Sequence, residues 1–533
     1  MANGGRRQTW CGRAALIILL CCCAVGGGCD AFRHSGPRRG RGVHVGTGFH
    51  AHSPVWEGPE PIYLCSEHYR NTTLDHFAWD PPEGRATYSQ RYFLCDSYWK
   101  SGPDGEKGPI FVYLGNEADV TLYLNATGLM WENAPNFGAL LVFVEHRYYG
   151  KSVPYGGKNS KQFLTTEQAI ADYAEFITDL KAELNATHSP VIGFGGSYGG
   201  MIGAWMRMKY PHILDGVIAG SAPIWTFIGE DPPVDPGYYG KIVTYDATPA
   251  AGSAASCVPN VQKAWSTIQE MAGTVRGARA VKKAMTICDA VGLEGADSAL
   301  ALMEWVSDAF DMMAMGMYPY ASNYMTNGQG YLPAYPIRAA CSFLSEPLTG
   351  VDLLAGLAKA AGLLYNSTGD VECFDFTAAV NNASAEVDDM WNWQSCTEMV
   401  IPDSRDGVSD MFWKRPFDLD EYMATCLKTV GALPRPLWAQ TQWGGRRIGT
   451  ASNIVFSNGE YDPWRGGGVT SHVSDSITVF TIAESGHHVD LMFSHPEDTK
   501  AIKAARALEV TSISKWIAEA RQNNKPPPEV ATI

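Results

Sequence analysis

Short apolar runs along the chain alternate with longer stretches in which apolar residues recur every three or four positions. Pro109-Ile-Phe-Val-Tyr-Leu114, Ala139-Leu-Leu-Val-Phe-Val144 and Val191-Ile-Gly-Phe194 have no polar alternation. Such runs predict strands of a parallel sheet covered on both faces. Gly216-Val-Ile-Ala-Gly220, Asn453-Ile-Val-Phe-Ser457 and Ile477-Thr-Val-Phe-Thr-Ile482 add three more, and Gln90-Arg-Tyr-Phe-Leu94 reads as an early strand. A helical period runs over 166–184, with Ala169, Tyr173, Phe176, Ile177, Leu180 and Leu184 on one face and Thr165 with Gln168 as a capping box. Strands alternating with helices predict an α/β fold.

The texture changes near Ile224. From 224 to 434 it is mostly helical, with Gly- and Pro-bearing turns over 318–336. We read this stretch as a helical domain inserted into the core. Strand texture then returns, and a helix over about 499–520 carries Ile502, Ala505, Leu508, Ile513 and Ile517 on or near its inner face, ahead of a polar, proline-bearing tail. The expected organisation is a signal peptide at 1–28, a leader at 29–62, the first part of the core at 63–223, the cap at 224–434 and the second part of the core, with the terminal helix and tail, at 435–533.

Composition narrows this picture. The chain has 533 residues, 45% hydrophobic and 18% charged, which suits a large globular protein. A net charge of −15 weighs against a nucleic-acid partner. Arg6, Arg7 and Arg13 precede an apolar run over 14–25 and small residues at 26–28. That run is short for a membrane span, so a cleaved secretory signal is expected, with an uncleaved anchor as the alternative. No later stretch reads as membrane-spanning. Beyond Cys29 there are eight cysteines, Cys65, Cys95, Cys257, Cys288, Cys341, Cys373, Cys396 and Cys426, six of them in the helical stretch. An even count behind a signal predicts disulfides, and the absence of a Cys-x-x-Cys pair argues against a metal site. Glycosylation sequons begin at Asn71, Asn125, Asn185, Asn366 and Asn382.

The chemistry centres on Gly195-Gly-Ser-Tyr-Gly199, between the strand ending at Phe194 and a helix carrying Met201, Trp205 and Met208. A serine on a strand–turn–helix corner is the nucleophile elbow of a hydrolase; the bland alternative is a tight packing turn. In that fold class the acid and then the histidine follow in sequence, on loops after later strands. Asp462 follows the strand ending at Ser457, and His487 and His488 follow the strand ending at Ile482. His212, His472 and His495, and Asp475 and Asp490, fit less well; spacing does not choose between His487 and His488. The oxyanion hole would take N–H groups from Tyr198 and from the Gly115-Asn116-Glu117 loop. Glu117 reads either as an anchor for a substrate amine or as a structural carboxylate. Met201 and Trp464 are candidate walls for an apolar pocket, with core packing as the alternative, and His488 is a further candidate for substrate contact. No cofactor is implied.

Gly195-Gly-Ser-Tyr-Gly-Gly-Met201, Arg207-Met-Lys-Tyr-Pro-His212, Glu145-His-Arg-Tyr-Tyr-Gly-Lys-Ser152, Ser457-Asn-Gly-Glu-Tyr-Asp-Pro-Trp464 and Gly486-His-His-Val-Asp-Leu491 resemble the serine exopeptidases that include lysosomal Pro-X carboxypeptidase and dipeptidyl peptidase II. The resemblance runs from about Tyr63 to the terminal helix. It implies an α/β-hydrolase core with an inserted, disulfide-stapled helical cap, and Ser197 as nucleophile, Asp462 as acid and His487 as base. It implies pairing of Cys257 with Cys341, Cys288 with Cys373 and Cys396 with Cys426, leaving Cys65 with Cys95. Substrates would be peptides with proline near a terminus, met in a lysosome-like compartment or outside the cell. The segments 318–323 and 332–337, with Glu460, look more like the carboxypeptidase, and release of N-terminal Xaa-Pro dipeptides is the alternative. Met492 stands where both relatives typically carry arginine. A bare Gly-x-Ser-x-Gly would also serve an esterase, a lipase or an inactive binding protein; the fuller motif set weighs against these. The sequence permits a homodimer.

Overall fold

A computed structural model describes residues 56, 58–80, 86–102, 105–155, 157, 160–378 and 382–523. The expected signal at 1–28, the leader up to residue 55 and the tail from 524 lie outside the described residues.

Eight strands form one sheet: β1 (Ser66–Thr73), β2 (Thr87–Cys95), β3 (Ile110–Leu114), β4 (Leu140–Val144), β5 (Val191–Gly196), β6 (Gly216–Gly220), β7 (Ile454–Gly459) and β8 (Ile477–Ile482). Their spatial order is β1-β2-β4-β3-β5-β6-β7-β8. β2 pairs antiparallel with β1 and β4, and every other pairing is parallel. The unbroken apolar runs are explained by burial on both faces. Phe111, Tyr113, Leu141, Phe143, Ile192, Phe194 and Ile218 point into one core, while Ile110, Val112, Leu140, Val142, Val191 and Val217 point into the other.

The first core is covered by α1 (Val120–Ala126), α2 (Gly128–Phe137) and the terminal helix; the second by α3 (Thr166–Glu183) and α4 (Tyr198–Lys209). Between β6 and β7 come α5 (Tyr238–Asp246), α6 (Cys257–Ala272), α7 (Val275–Ala284), α8 (Ala296–Met315), α9 (Pro336–Ser342), α10 (Gly350–Tyr365), α11 (Asn382–Ser395), α12 (Leu419–Thr429) and α13 (Trp438–Trp443). The chain ends in α14 (Lys500–Asn523). A mostly parallel sheet with helices on both faces and a helical excursion after β6 is an α/β-hydrolase core.

Disulfides join Cys65–Cys95, Cys257–Cys341, Cys288–Cys373 and Cys396–Cys426, the four expected pairs. Two of them close segments of 84 and 85 residues. In the chain-entropy model such closures each destabilise the unfolded chain by about 4–5 kcal/mol. Among the described residues no helix is long and apolar enough to cross a membrane.

Four expectations need correction. β1 is absent from the sequence reading because Ser66-Glu-His-Tyr-Arg-Asn-Thr-Thr73 is polar; as an edge strand it pairs only with β2 and keeps much of its length exposed. The packed body begins before Tyr63, since Trp56 lies 6.1 Å from Trp131 and 5.4 Å from Phe493, centroid to centroid. The capping box is half formed: Thr165 Oγ1 accepts from Gln168 N–H, but Gln168 Oε1 accepts from His76 N–H instead of from Thr165. Asn125 is only 6% exposed and its Oδ1 accepts from Ile62 N–H, so this sequon has no room for a glycan in the fold. Asn71 and Asn185 are exposed, Asn366 is half-buried, and Asn382 opens α11.

Candidate active site

Ser197 sits between the last residue of β5 and the first of α4, with φ 57° and ψ −127°. A non-glycine residue in that region is strained, and the corner lifts its side chain off the sheet edge. Gly196 is required there. A Cβ on it would lie 2.8 Å from the ring of His488. Ser197 N–H is tied to Gly220 O on the neighbouring strand at 2.9 Å.

Asp462 follows β7 and is fully buried. Its Oδ1 accepts from Trp464 N–H at 3.0 Å, and its Oδ2 lies 2.9 Å from His487 Nδ1. With Nδ1–H donating to the carboxylate, the opposite nitrogen, Nε2, is left as a base. Of the two neighbouring histidines it is His487 whose ring lies against Asp462. The insertion holds this histidine in place. His487 N–H donates to Met315 O at the end of α8 (2.9 Å), and Tyr318 O–H donates to His487 O (3.0 Å). Gly486 allows this approach, because a Cβ there would lie 2.5 Å from Met315 O.

His488 takes φ 36° and donates its N–H to Ser221 Oγ at 2.8 Å. Its ring lies edge-on to Tyr324 at 5.4 Å. Burial, and secondarily the neighbouring His487, hold its imidazole well below the ordinary range, so it is neutral. Met492, at the arginine position, packs in the apolar core. An arginine still braces this segment, from another element: Arg506 on α14 donates to Val489 O, Asp490 O and Phe493 O at 3.0–3.1 Å and pairs with Asp498.

Ser197, His487 and His488 line one narrow cavity. Asn116 and Glu117 border it from the loop after β3, and Tyr123, Met315, Tyr324 and Trp464 supply the remaining walls. Trp464 is fixed by its Nε1–H, which donates to Met315 Sδ at 3.3 Å, and by an edge-on contact with Tyr239. Glu117 is 2% exposed and accepts from Asn116 Nδ2 at 2.8 Å. Burial pushes its carboxyl up to about 7, against the pull of its own backbone N–H, the Asn116 amide and His487.

Two expected positions are not brought to the cavity. Met201 is buried in the core on the opposite face of the sheet from Trp464. Gly115 N–H is already bonded to Val144 O at 3.0 Å, as strand pairing requires at the end of β3. Asn116 N–H and Tyr198 N–H make no hydrogen bond among the described residues; the latter is an unsatisfied donor of the first turn of α4. No separate sequence signal marks Tyr123 and Met315, which read as core, or Tyr324, which falls among the turns of 318–336.

The Glu145–Tyr149 motif lies behind Ser197, around the Tyr198 side chain. His146 Nδ1–H donates to Arg147 O, so Nε2 accepts from Tyr198 O–H at 3.2 Å; burial pushes this imidazole down to about 4. Gln394 of α11 donates to the same phenol at 2.8 Å and accepts from Tyr149 O–H. Arg147, fully buried, pairs with Asp172 through two contacts of 2.6–2.7 Å. Core strand, nucleophile helix and insertion therefore share one polar network around Tyr198.

Comparison with known proteins agrees with this geometry. A family model described as serine carboxypeptidase S28 matches residues 72–509. The human lysosomal Pro-X carboxypeptidase is 39% identical over 85% of this chain and 88% of its own length. The prolyl carboxy peptidase like protein 5 of Caenorhabditis elegans is 36% identical over 87% and 92% of the two chains, and the mouse thymus-specific serine protease is 27% identical over 82% and 86%. The chain belongs to the serine carboxypeptidase S28 family and is a serine peptidase.

Proposed function

We propose that this enzyme releases the C-terminal residue from peptides whose penultimate residue is proline, as a Pro-X carboxypeptidase. The observation that carries the reading is the His487–Asp462 pair opening onto the cavity that Ser197 and Trp464 share, in a chain 39% identical to the human Pro-X carboxypeptidase. In the first half-reaction Ser197 Oγ attacks the prolyl carbonyl carbon while His487 Nε2 takes its proton. Tyr198 N–H and Asn116 N–H, the latter in place of Gly115, receive the oxyanion. His487 then protonates the leaving amine, and water repeats the sequence on the acyl-enzyme. Asp462 holds Nδ1–H, so that Nε2 is free to take the proton and then return it. Trp464 and Met315 offer flat and flexible apolar surface for the prolyl ring, and neutral His488 closes the wall beside the nucleophile. The disulfides, the expected signal and the exposed sequons support passage through the secretory pathway, and the human relative's name supports a lysosomal destination.

Product analysis on two peptides tests this. A peptide with penultimate C-terminal proline is expected to lose its last residue. A peptide with proline second from the N-terminus and none near its C-terminus is expected to stay intact. Release of an N-terminal dipeptide from the second, with the first untouched, would reverse the assignment.

A further inference from the structure

We propose that Glu117, braced by Asn116, works as a neutral carboxylic acid that donates a hydrogen bond to the C-terminal carboxylate of the substrate. This deepens the carboxypeptidase reading and rests on it. In a peptide cut at its last bond, the carboxylate lies one residue from the scissile carbonyl, a few ångströms along the chain. The group that receives it must therefore stand beside Ser197.

The cavity offers few candidates. Among the described residues no lysine or arginine lines it. Its ionisable groups are Glu117, His487, His488 and the phenols Tyr123 and Tyr324. His487 is committed to Asp462, and His488 is neutral. An anion brought into such a site without a cation would be unstable unless a neutral donor met it. Glu117 is the acidic group present. It is buried with no basic side chain among its hydrogen-bond partners, and its ionised form is disfavoured up to about pH 7 by that burial.

The orientation is also favourable. Asn116 Nδ2 donates to Oε2, which marks that oxygen as the carbonyl-like one and leaves the proton to Oε1. Asn116 is fixed in turn, since its Oδ1 accepts from Tyr113 O–H at 3.3 Å. An acid donating to a carboxylate forms a charge-assisted hydrogen bond, stronger than a neutral one. The groups facing Glu117 are Tyr123 from α1, Tyr198 from α4, Tyr324 from the insertion, and His487 and His488 from the loop after β8. Burial holds the Tyr198 phenol well above and the His488 imidazole well below their ordinary ranges, so neither brings a charge to Glu117 between pH 5 and 8. Once ionised, Glu117 would repel the carboxylate it otherwise binds. An amine anchor would do the opposite, holding its ligand only when ionised.

The test measures KM and kcat from pH 5 to 8 on an N-blocked peptide ending Pro-Phe and on its C-terminal amide. The enzymes are the wild type, Glu117→Gln and Glu117→Ala, with fluorophosphonate labelling of Ser197 reporting an intact site in each. For the free-acid peptide, wild-type KM is expected to rise about tenfold or more from pH 5.5 to 8. Glu117→Gln, whose amide also donates, should keep acid-pH KM within about threefold while losing that rise. Glu117→Ala should raise KM about tenfold at pH 5.5. The amide peptide should show no comparable rise. A Glu117→Gln enzyme whose KM follows pH as the wild type does, or one as impaired as Glu117→Ala at pH 5.5, would overturn the proposal with the carboxypeptidase reading intact. If the wild type leaves the N-blocked peptide whole but takes dipeptides from a free N-terminus, the underlying reading fails and the proposal with it.

Discussion

At the scale of single residues, the backbone of the site is held as firmly as its side chains. Ser197 takes its strained φ with its N–H pinned to Gly220 O, and Gly196 leaves room for the His488 ring beside it. His487 is fixed at three points: the ring by Asp462, the N–H by Met315 O and the carbonyl by Tyr318 O–H. Removing the Tyr318 hydroxyl with Tyr318→Phe deletes one of these while leaving the ring to pack. A single such hydrogen bond contributes about 0.5–1.5 kcal/mol, so kcat should fall about 2–10-fold with KM nearly unchanged. A steady-state assay showing raised KM with unaltered kcat would place Tyr318 in substrate binding instead. Ser197, Asp462 and the His487-His488 pair were legible in the sequence because each closes a strong strand signal. The bonds from Met315 and Tyr318 to His487 were not: Tyr318 lies 169 residues away along the chain, and segment 318–323 stood out only for its resemblance to the carboxypeptidase. Gly115 was misread for a local reason: hydrogen-bond pairing reaches one residue past the end of β3 and occupies its N–H.

At the scale of elements, period and length carried most of the fold. The buried strands announce themselves as unbroken apolar runs because both of their faces are covered. β1 escapes the same test because an edge strand needs little apolar sequence. The insertion was legible as helical, but its use was not. It ends α8 against the His487 loop and sends Gln394 from α11 to the Tyr198 phenol. Its helices thus fix His487 and Tyr198 as well as covering the core. Met492 makes the same point about elements. Sequence order suggests a missing arginine, yet α14 delivers Arg506 to the carbonyls of the same segment, and only folding brings the two together.

At the scale of the whole molecule, buried carboxyls set the response to pH. Burial raises Glu117 to about 7 and Asp311 to about 6, and holds Asp246, Glu398 and Glu509 well above the ordinary range. For each, the folded group is the weaker acid, so its contribution is full below the unfolded pKa of about 4 and is lost as pH rises through the folded value. His146, pushed down to about 4, and His488 act in the other direction, losing stability as pH falls below about 6.5. From pH 8 to 6.5 the carboxyls act alone, and below that they outnumber the histidines. Asp119 and Asp172, held below the usual carboxylate range, matter only in stronger acid. The melting temperature should therefore be at least about 3 °C higher at pH 5.5 than at pH 8. A melting temperature that is flat or falls across this interval, by differential scanning fluorimetry, would show that the buried carboxyls are ionised in the fold.

Fluorophosphonate labelling followed by peptide mapping tests the activation of Ser197 by His487 most directly. The predicted result is one adduct, on Ser197, forming at least about 10³-fold more slowly in His487→Ala and within about tenfold of the wild-type rate in His488→Ala. An adduct on any other serine, or a His487→Ala protein labelled as fast as the wild type, would contradict the account.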